Sequence, residues 1–392
     1  MIKLIKSSYY NEKHTSKLIG EFILQASQLS FGPQCEQFES SFSKYQQRSE
    51  CIYLNSGSSA NLAIIQAMLN LGYLKKGEKV GFSALTWSTN VMPIIQLGLE
   101  AVPIDIELDT LNISSAKVIN TLKKHNIKMI FITNLLGWTH DIDKIAELCK
   151  INNIYLIEDN CESLGTVYKG KKLGNYGLAS TFSFYVGHHM STIEGGAICT
   201  DDHELATMVR LVRAHGWDRN LQLKEQTNIR KQHNVNSTFY SRYTFYDLGY
   251  NLRPTEIAGF LGNNQLGYLE EIISKRESNY FKISSKIYPN PEKYYSLKTD
   301  HLDKFSNFAV PIICKSVAIR DELVKVCADK IEIRPVVGGD MTEQPFFAKY
   351  MAKYTDEMVG SNASLVHKQG LYFGNNPELT ESEISEIIDT FK

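Results

Sequence analysis

The residues best able to do chemistry stand where apolar runs end. In IYLIEDNCESLG (154–165) the run stops at Glu158-Asp159. Ligands of open α/β sheets bind at the carboxyl edges of parallel strands. An acid there either holds a cationic heterocycle nitrogen or caps the next turn. LNSGSSANLAIIQ (54–66) passes from a strand-like start through Gly-Ser-Ser into an apolar helix. Free N–H groups at a helix N-terminus bind phosphate. Ser58 adds a hydroxyl donor and Gly57 permits close backbone approach; a plain serine cap is the competing reading. LTWSTNV (85–91) sets Trp87 behind another strand, where an indole stacks on a flat ring or fills the core. FSFYVGHHMSTIEGG (182–196) carries His188, and an imidazole moves protons near neutral pH.

These segments need a scaffold. From about residue 33 to 215, short apolar runs alternate with helical patterns. KVGFS (79–83), AVPIDI (101–106), KMIFIT (128–133) and IYLIED (154–159) read as buried strands. Segments 60–72, 90–97, 114–124 and 141–151 read as helices, and the alternation predicts an α/β domain with a mostly parallel sheet. TFSFY (181–185) and GAICT (196–200) add two strands, and 203–214 a helix. The polar stretch 223–237 has no glycine or proline and reads as an ordered excursion or a loop, not a simple linker. A long helical pattern over 251–283 is expected to break near 270. DELVKVCADK (321–330), IEIRPV (331–336) and ESEISEIIDTF (381–391) supply a helix, a strand and a closing helix. The expected organisation is a large α/β domain over 1–270, including an N-terminal helical segment, and a small α+β domain over 271–392.

Bulk properties narrow the function. The chain has 392 residues, with 42 Lys+Arg against 43 Asp+Glu. That balance gives no electrostatic footprint for nucleic acid or an anionic membrane. The N-terminus turns polar within six residues and no long apolar run follows, so a cytoplasmic protein is expected. Seven cysteines, widely spaced and without a C-x-x-C pair, argue against zinc or iron–sulfur ligation by adjacent thiols.

SGSSAN, TWSTN, EDNCESLG, FSFYVGHH, EGG, RAHGW, GYNLRP and IRPVV occur in that order along nearly the whole chain. In this the chain resembles the sugar aminotransferase family that modifies nucleotide-linked ketosugars. These are fold type I, aspartate-aminotransferase-like pyridoxal phosphate enzymes. The family carries F-S-F, three residues, the Schiff-base lysine, then a turn containing E-G-G. Here F-S-F is 182–184, and His188 falls on the lysine position; no lysine occurs between Lys172 and Lys224. The resemblance implies pyridoxal 5′-phosphate or pyridoxamine 5′-phosphate held without a covalent bond. It assigns Gly57, Ser58 and Ser183 to the phosphate, Asp159 to the pyridine nitrogen, Trp87 to the ring face and Glu162 to the neighbourhood of the ring hydroxyl. Asn251 matches a residue that reaches the phosphate from the partner subunit, which implies a homodimer with sites completed across its interface.

Within the family, the His188-His189 doublet, RAHGWDRN and GYNLRP look most similar to the 3-dehydratase branch. That branch implies L-glutamate as amino donor, His188 as the group that takes the proton, and loss of the C3 hydroxyl from a GDP-linked 4-keto-6-deoxy sugar. The context would be deoxysugar and O-antigen synthesis. His215 is a second catalytic candidate. Arg219, Arg253 and Arg334 are candidates for carboxylate or diphosphate, which a guanidinium grips bidentately; which arginine holds which group stays open. An iron–sulfur variant needs a close cysteine set late in the chain, and only Cys314 and Cys327 lie beyond residue 199. A sugar 4-aminotransferase using a remote lysine, or a non-catalytic binding protein, are the remaining alternatives.

Overall fold

The computed structural model describes residues 1–392. Two helices come first, α1 (Glu12–Gln25) and α2 (Pro33–Gln46). Proline opens α2, where a missing N–H costs nothing. Its buried face carries Cys35, Phe38 and Phe42. Phe42 meets Phe182 and Phe184 edge-on, with ring centroids 5.1 and 5.0 Å apart. The helix is thereby fixed to the strand that leads to His188.

The chain then alternates: β1 (Glu50–Leu54), α3 (Gly57–Asn70), β2 (Lys79–Ser83), α4 (Met92–Gln96), β3 (Glu100–Ile104), α5 (Ser115–Leu122), β4 (Ile127–Thr133), α6 (Ile142–Ile151) and β5 (Tyr155–Asp159). A short hairpin, β6 (Val167–Tyr168) and β7 (Lys171–Lys172), precedes β8 (Ala179–Ser183) and β9 (Gly196–Thr200). Seven strands form one sheet in the order β1-β9-β8-β5-β4-β2-β3. Only β9 runs against its neighbours, so the expected mostly parallel sheet is present. Helices cover both faces, which is why the strands are near-continuous apolar runs.

Next come α7 (His203–Arg213), α8 (Leu223–Gln232), α9 (Glu256–Leu266) and α10 (Leu269–Ile287). The polar stretch after residue 222 thus contains a helix. Gln222 and Glu225 form a reciprocal capping box that starts it. The long helical pattern does break, at Gly267-Tyr268 between α9 and α10.

The remaining elements are β10 (Tyr294–Tyr295), β11 (Ala309–Cys314), α11 (Val317–Cys327), β12 (Ile333–Pro335), α12 (Pro345–Met351), α13 (Asn362–Gln369), β13 (Gly370–Gly374) and α14 (Glu381–Phe391). Their strands make a four-stranded antiparallel sheet in the order β10-β11-β13-β12. One apolar core of 75 buried residues runs from the large sheet into the small one. Ile2 bridges to Ile331, and the Leu4 N–H donates to Glu332 at 3.0 Å, so the start of the chain is tied to the small sheet. No helix is long and apolar enough to cross a membrane.

Candidate active site

A cavity of about 430 Å³ opens at the carboxyl edge of the large sheet. Gly57, Ser58, Trp87, Asp159, Glu162, Ser183, His188 and Arg334, eight of the twelve residues singled out from sequence, line it. No lysine is among its lining residues.

Its anion end is built by α3. Ser56 caps the helix by accepting the Ser59 N–H at 3.0 Å. Cap geometry leaves the first N–H groups of the helix, those of Gly57 and Ser58, without intrahelical acceptors. A side chain at position 57 would bring its Cβ within 2.6 Å of Ser183 Cβ and 3.0 Å of Cys161 Sγ. Glycine is therefore needed to bring the α3 start against Ser183. Neither the helix dipole nor these donors meets an anion from the chain itself, and both suit a phosphate.

Asp159 ends β5, at the carboxyl edge of a parallel strand. Its Oδ2 accepts from Asn61 Nδ2 at 2.9 Å and Asn90 Nδ2 at 2.6 Å; its Oδ1 accepts the Cys161 N–H at 2.8 Å. Neutral donors hold this buried carboxylate in place without cancelling its charge, so it can face a cationic N–H. Glu158 plays no such part. It points away and accepts the N–H groups of Gly174, Tyr176 and Gly177, each at 2.7 Å.

Glu162 is buried, and burial pushes its carboxyl up to about 8. The Leu136 N–H, donating at 3.0 Å, opposes that rise, and nearby Asp159 adds to it. Glu162 is therefore a protonated acid at neutral pH, able to donate to a ring oxygen. Trp87 is 52% exposed and lines the cavity, so the core reading fails for it. The buried core tryptophan is Trp138, whose Nε1 donates to the Lys298 carbonyl.

His188 sits on the loop between β8 and β9. Regular pairing ends at Ser183, earlier than the strand expected over 181–185. Phe184 and Val186 then donate to the carbonyls of Gly195 and Ile193, closing a looser loop with His188 near its tip. The ring lies between Phe308 (5.1 Å) and Tyr185 (5.7 Å). Burial, with help from the Arg276 charge, pulls its pKa down to about 4, against a weaker pull upward from the Ser183 carbonyl. The imidazole is therefore neutral at pH 7 and keeps a lone pair on one ring nitrogen.

The other four candidates stand apart. Asn251 pairs with Ala214 in an isolated bridge and accepts from Arg253 Nε at 3.0 Å. His215 adopts a left-handed backbone (φ 59°), and its ring packs 4.8 Å from Trp217. The Arg219 guanidinium stacks on Trp217 and Tyr243, at 4.1 and 4.5 Å, and donates to the Arg242 carbonyl. None of these four lines the cavity of its own chain.

Sequence reasoning missed Asn61, Asn90, Glu194, Phe308 and Tyr372. Asn61 and Asn90 lie inside the quoted SGSSAN and TWSTN motifs. Asn61 follows Gly57 by one helical turn, which places both on one face of α3. Phe308 and Tyr372 come from the small sheet, and no local pattern announces them.

A helix-start cradle, a neutral-donor-held aspartate at the strand edge and an exposed indole fit a phosphorylated pyridinium. With the doubly covered sheet, they define a fold type I pyridoxal phosphate protein. The chain belongs to the DegT/DnrJ/EryC1/StrS aminotransferase family, which matches residues 12–392.

Two curated relatives are GDP-4-keto-6-deoxy-D-mannose 3-dehydratases. That of Yersinia pseudotuberculosis is 33% identical over 391 residues, covering 99% of this chain and 98% of the relative. That of Escherichia coli O55:H7 is 34% identical over 376 residues, covering 94% and 95%. Among solved structures, a histidine-to-asparagine variant of GDP-4-keto-6-deoxymannose 3-dehydratase with bound GDP-perosamine has a TM-score of 0.88 at 30% identity, covering both chains fully. The same enzyme with a trapped PLP-glutamate geminal diamine has a TM-score of 0.86 at 32% identity, again with full coverage of both.

Proposed function

We propose that this chain is a pyridoxal phosphate-dependent 3-dehydratase that removes the C3 hydroxyl of a nucleotide-linked 4-keto-6-deoxy sugar, with GDP as the nucleotide and L-glutamate as amino donor. The observation that carries the reading is an imidazole, neutral at pH 7, at the position where the family keeps its lysine, in a cavity that no lysine lines. Overall the sugar loses one oxygen, and glutamate becomes 2-oxoglutarate and ammonia, so glutamate is the reductant and the atoms balance.

The residue assignments are part of this reading. Gly57, Ser58 and Ser183 would hold the phosphate, and Asp159 the ring nitrogen. Trp87 would cover a ring face, and Glu162 would donate to the ring oxygen. Bound there, the coenzyme supplies an electron sink and an exchangeable amino group. His188 accepts a proton at its free ring nitrogen and holds it for the departing hydroxyl. An amine at this position would also bond to the coenzyme's carbonyl carbon and recapture it; an imidazole has no such bond to offer, so loss of the hydroxyl becomes the productive exit. Non-covalent retention of the coenzyme follows.

Asn251, His215, Arg219 and Arg253 are assigned to the partner's cavity in a homodimer. Arg334, on the small sheet, is assigned to the sugar diphosphate or the glutamate carboxylate of its own cavity. In this reading residues 1–270 carry the coenzyme and 271–392 cap it, and the protein works in the cytoplasm on O-antigen precursors.

The test is incubation with pyridoxal phosphate, glutamate and a panel of nucleotide-linked 4-ketosugars, followed by mass spectrometry. The expected result is loss of one oxygen from the GDP sugar with equimolar 2-oxoglutarate. A product that gains an amino group instead overturns the reading.

A further inference from the structure

His188 also borders a second, much smaller cavity of about 30 Å³, lined by His189, Ser191 and Arg276 among others. Such a space admits a water or an ion of similar size. A sugar, a phosphate ester or the coenzyme is far too large for it.

Arg276 reaches this cavity from α10 and is 6% exposed. Its Nη2 donates to the His188 carbonyl at 3.0 Å. Nε and Nη1 are buried and donate to nothing in the chain. Burial alone pulls its pKa down, to about 9, and no carboxylate pulls it back. The guanidinium therefore carries a full positive charge at neutral pH, inside the protein, with no counter-charge from the chain.

The other buried arginines are treated differently. Arg213, 1% exposed, is paired with Glu39. Arg48 and Arg210, nearly as well covered, are paired with Asp201 and Glu50. A buried charge is costly unless it is paired, and these three obey that rule. The acids around Arg276 are committed elsewhere. Glu271 pairs with Lys275 and accepts from Tyr10, Glu277 accepts the Phe305 N–H, and Glu378 accepts from Ser7. None of the three lines the cavity.

The remaining groups suit a negative guest. Ser191 is buried and its Oγ accepts the Ile193 N–H at 2.9 Å, which leaves its hydroxyl hydrogen to donate. His188 and His189 are both kept neutral by burial, so neither sets a negative charge against the guest. A single charge balances one guanidinium, and the volume limits the guest to one small ion.

We propose that Arg276 and Ser191 form a binding site for a small monovalent inorganic anion of chloride size, beside His188 and separate from the coenzyme cavity. The ion supplies the counter-charge that the chain omits. The site does not rest on the function proposed above.

The experiment melts the full-length protein, with and without pyridoxamine phosphate, in sodium gluconate progressively replaced by sodium chloride at constant ionic strength. Gluconate is too large for the cavity. A ligand that binds only the folded state raises stability along a saturating curve. Wild type should follow such a curve, and Arg276→Gln should not respond. Ser191→Ala removes one donor and keeps the charge, so it should need about tenfold more chloride for half the effect. Crystals of the wild type soaked in sodium bromide should show an anomalous peak in contact with the Arg276 guanidinium. Melting that ignores chloride, an equal chloride response in Arg276→Gln, or bromide confined to the protein surface overturns the proposal. So does a carboxylate of a partner subunit seated against Arg276. If neither variant folds, the bromide crystal decides alone. No readout needs turnover, so a wild type that fails to deoxygenate the sugar counts against the proposed function alone.

Discussion

Asn90 Nδ2 lies 2.6 Å from Asp159 Oδ2, and Asn61 reaches the same oxygen at 2.9 Å. Two uncharged donors from different elements thus aim one carboxylate at the cavity without neutralising it. A hydrogen bond to a charged group contributes about 1.5–3 kcal/mol. Asn90→Ala should therefore weaken pyridoxamine phosphate binding by about ten- to a hundredfold, read by spectroscopic titration. Affinity within twofold of wild type would remove Asn90 from this role.

The phosphate cradle makes a prediction that separates phosphate from ring binding. A methyl at position 57 meets Ser183 Cβ at 2.6 Å and must displace the start of α3. Gly57→Ala should lose at least tenfold in affinity for pyridoxal phosphate and change little for pyridoxal itself. Equal losses for the two would mean that Gly57 shapes the ring site instead.

Glu162 gives a pH signature. Burial lifts its carboxyl to about 8 in the folded protein, against an unfolded value near 4.3. Between these values the folded state binds a proton that the unfolded state does not, so stability falls as pH rises through that window. Glu162→Gln, neutral throughout, removes the slope. Coenzyme-free wild type should lose thermal stability relative to this variant from pH 5 to pH 8. Parallel curves would show that Glu162 is not held protonated.

His215, Arg219, Asn251 and Arg253 lie outside their own chain's cavity, which makes the shared-site dimer testable by complementation. His188→Asn and Asn251→Ala should each be inactive. Mixed, unfolded together and refolded, they should recover about a quarter of wild-type activity, because half the dimers are hybrids with one intact site of two. Inactive parents with no recovery on mixing would place Asn251 in its own chain's site.

Much of this was legible because local pattern and tertiary role coincide. The β5 run ends in Asp159 because a buried parallel strand must be apolar until it reaches the ligand edge. Gly57, Ser58 and Trp87 are readable for the same reason, each standing where a strand gives way. The apolar pattern sets the strand before His188 two residues late, because Phe184 is buried against α2 outside the regular ladder, and hydrophobicity alone does not distinguish the two. The helix over 223–232 was hidden by its polarity; capping, not an apolar face, starts it. Arg276 was invisible. It sits in a charged helical stretch, KRES, that reads as solvated surface, and only the packing of α10 beneath the His188 loop turns it inward. Phe308 and Tyr372 arrive from the small sheet, over a distance in sequence that no spacing argument spans.

The most direct test of the account is the rate of sugar deoxygenation by His188→Asn under saturating glutamate and GDP-linked 4-ketosugar. Loss of a positioned general base costs about 10²–10⁴ in rate. The account predicts a fall in that range with pyridoxamine phosphate affinity kept within a few fold. Deoxygenation by the variant within tenfold of wild type would contradict it.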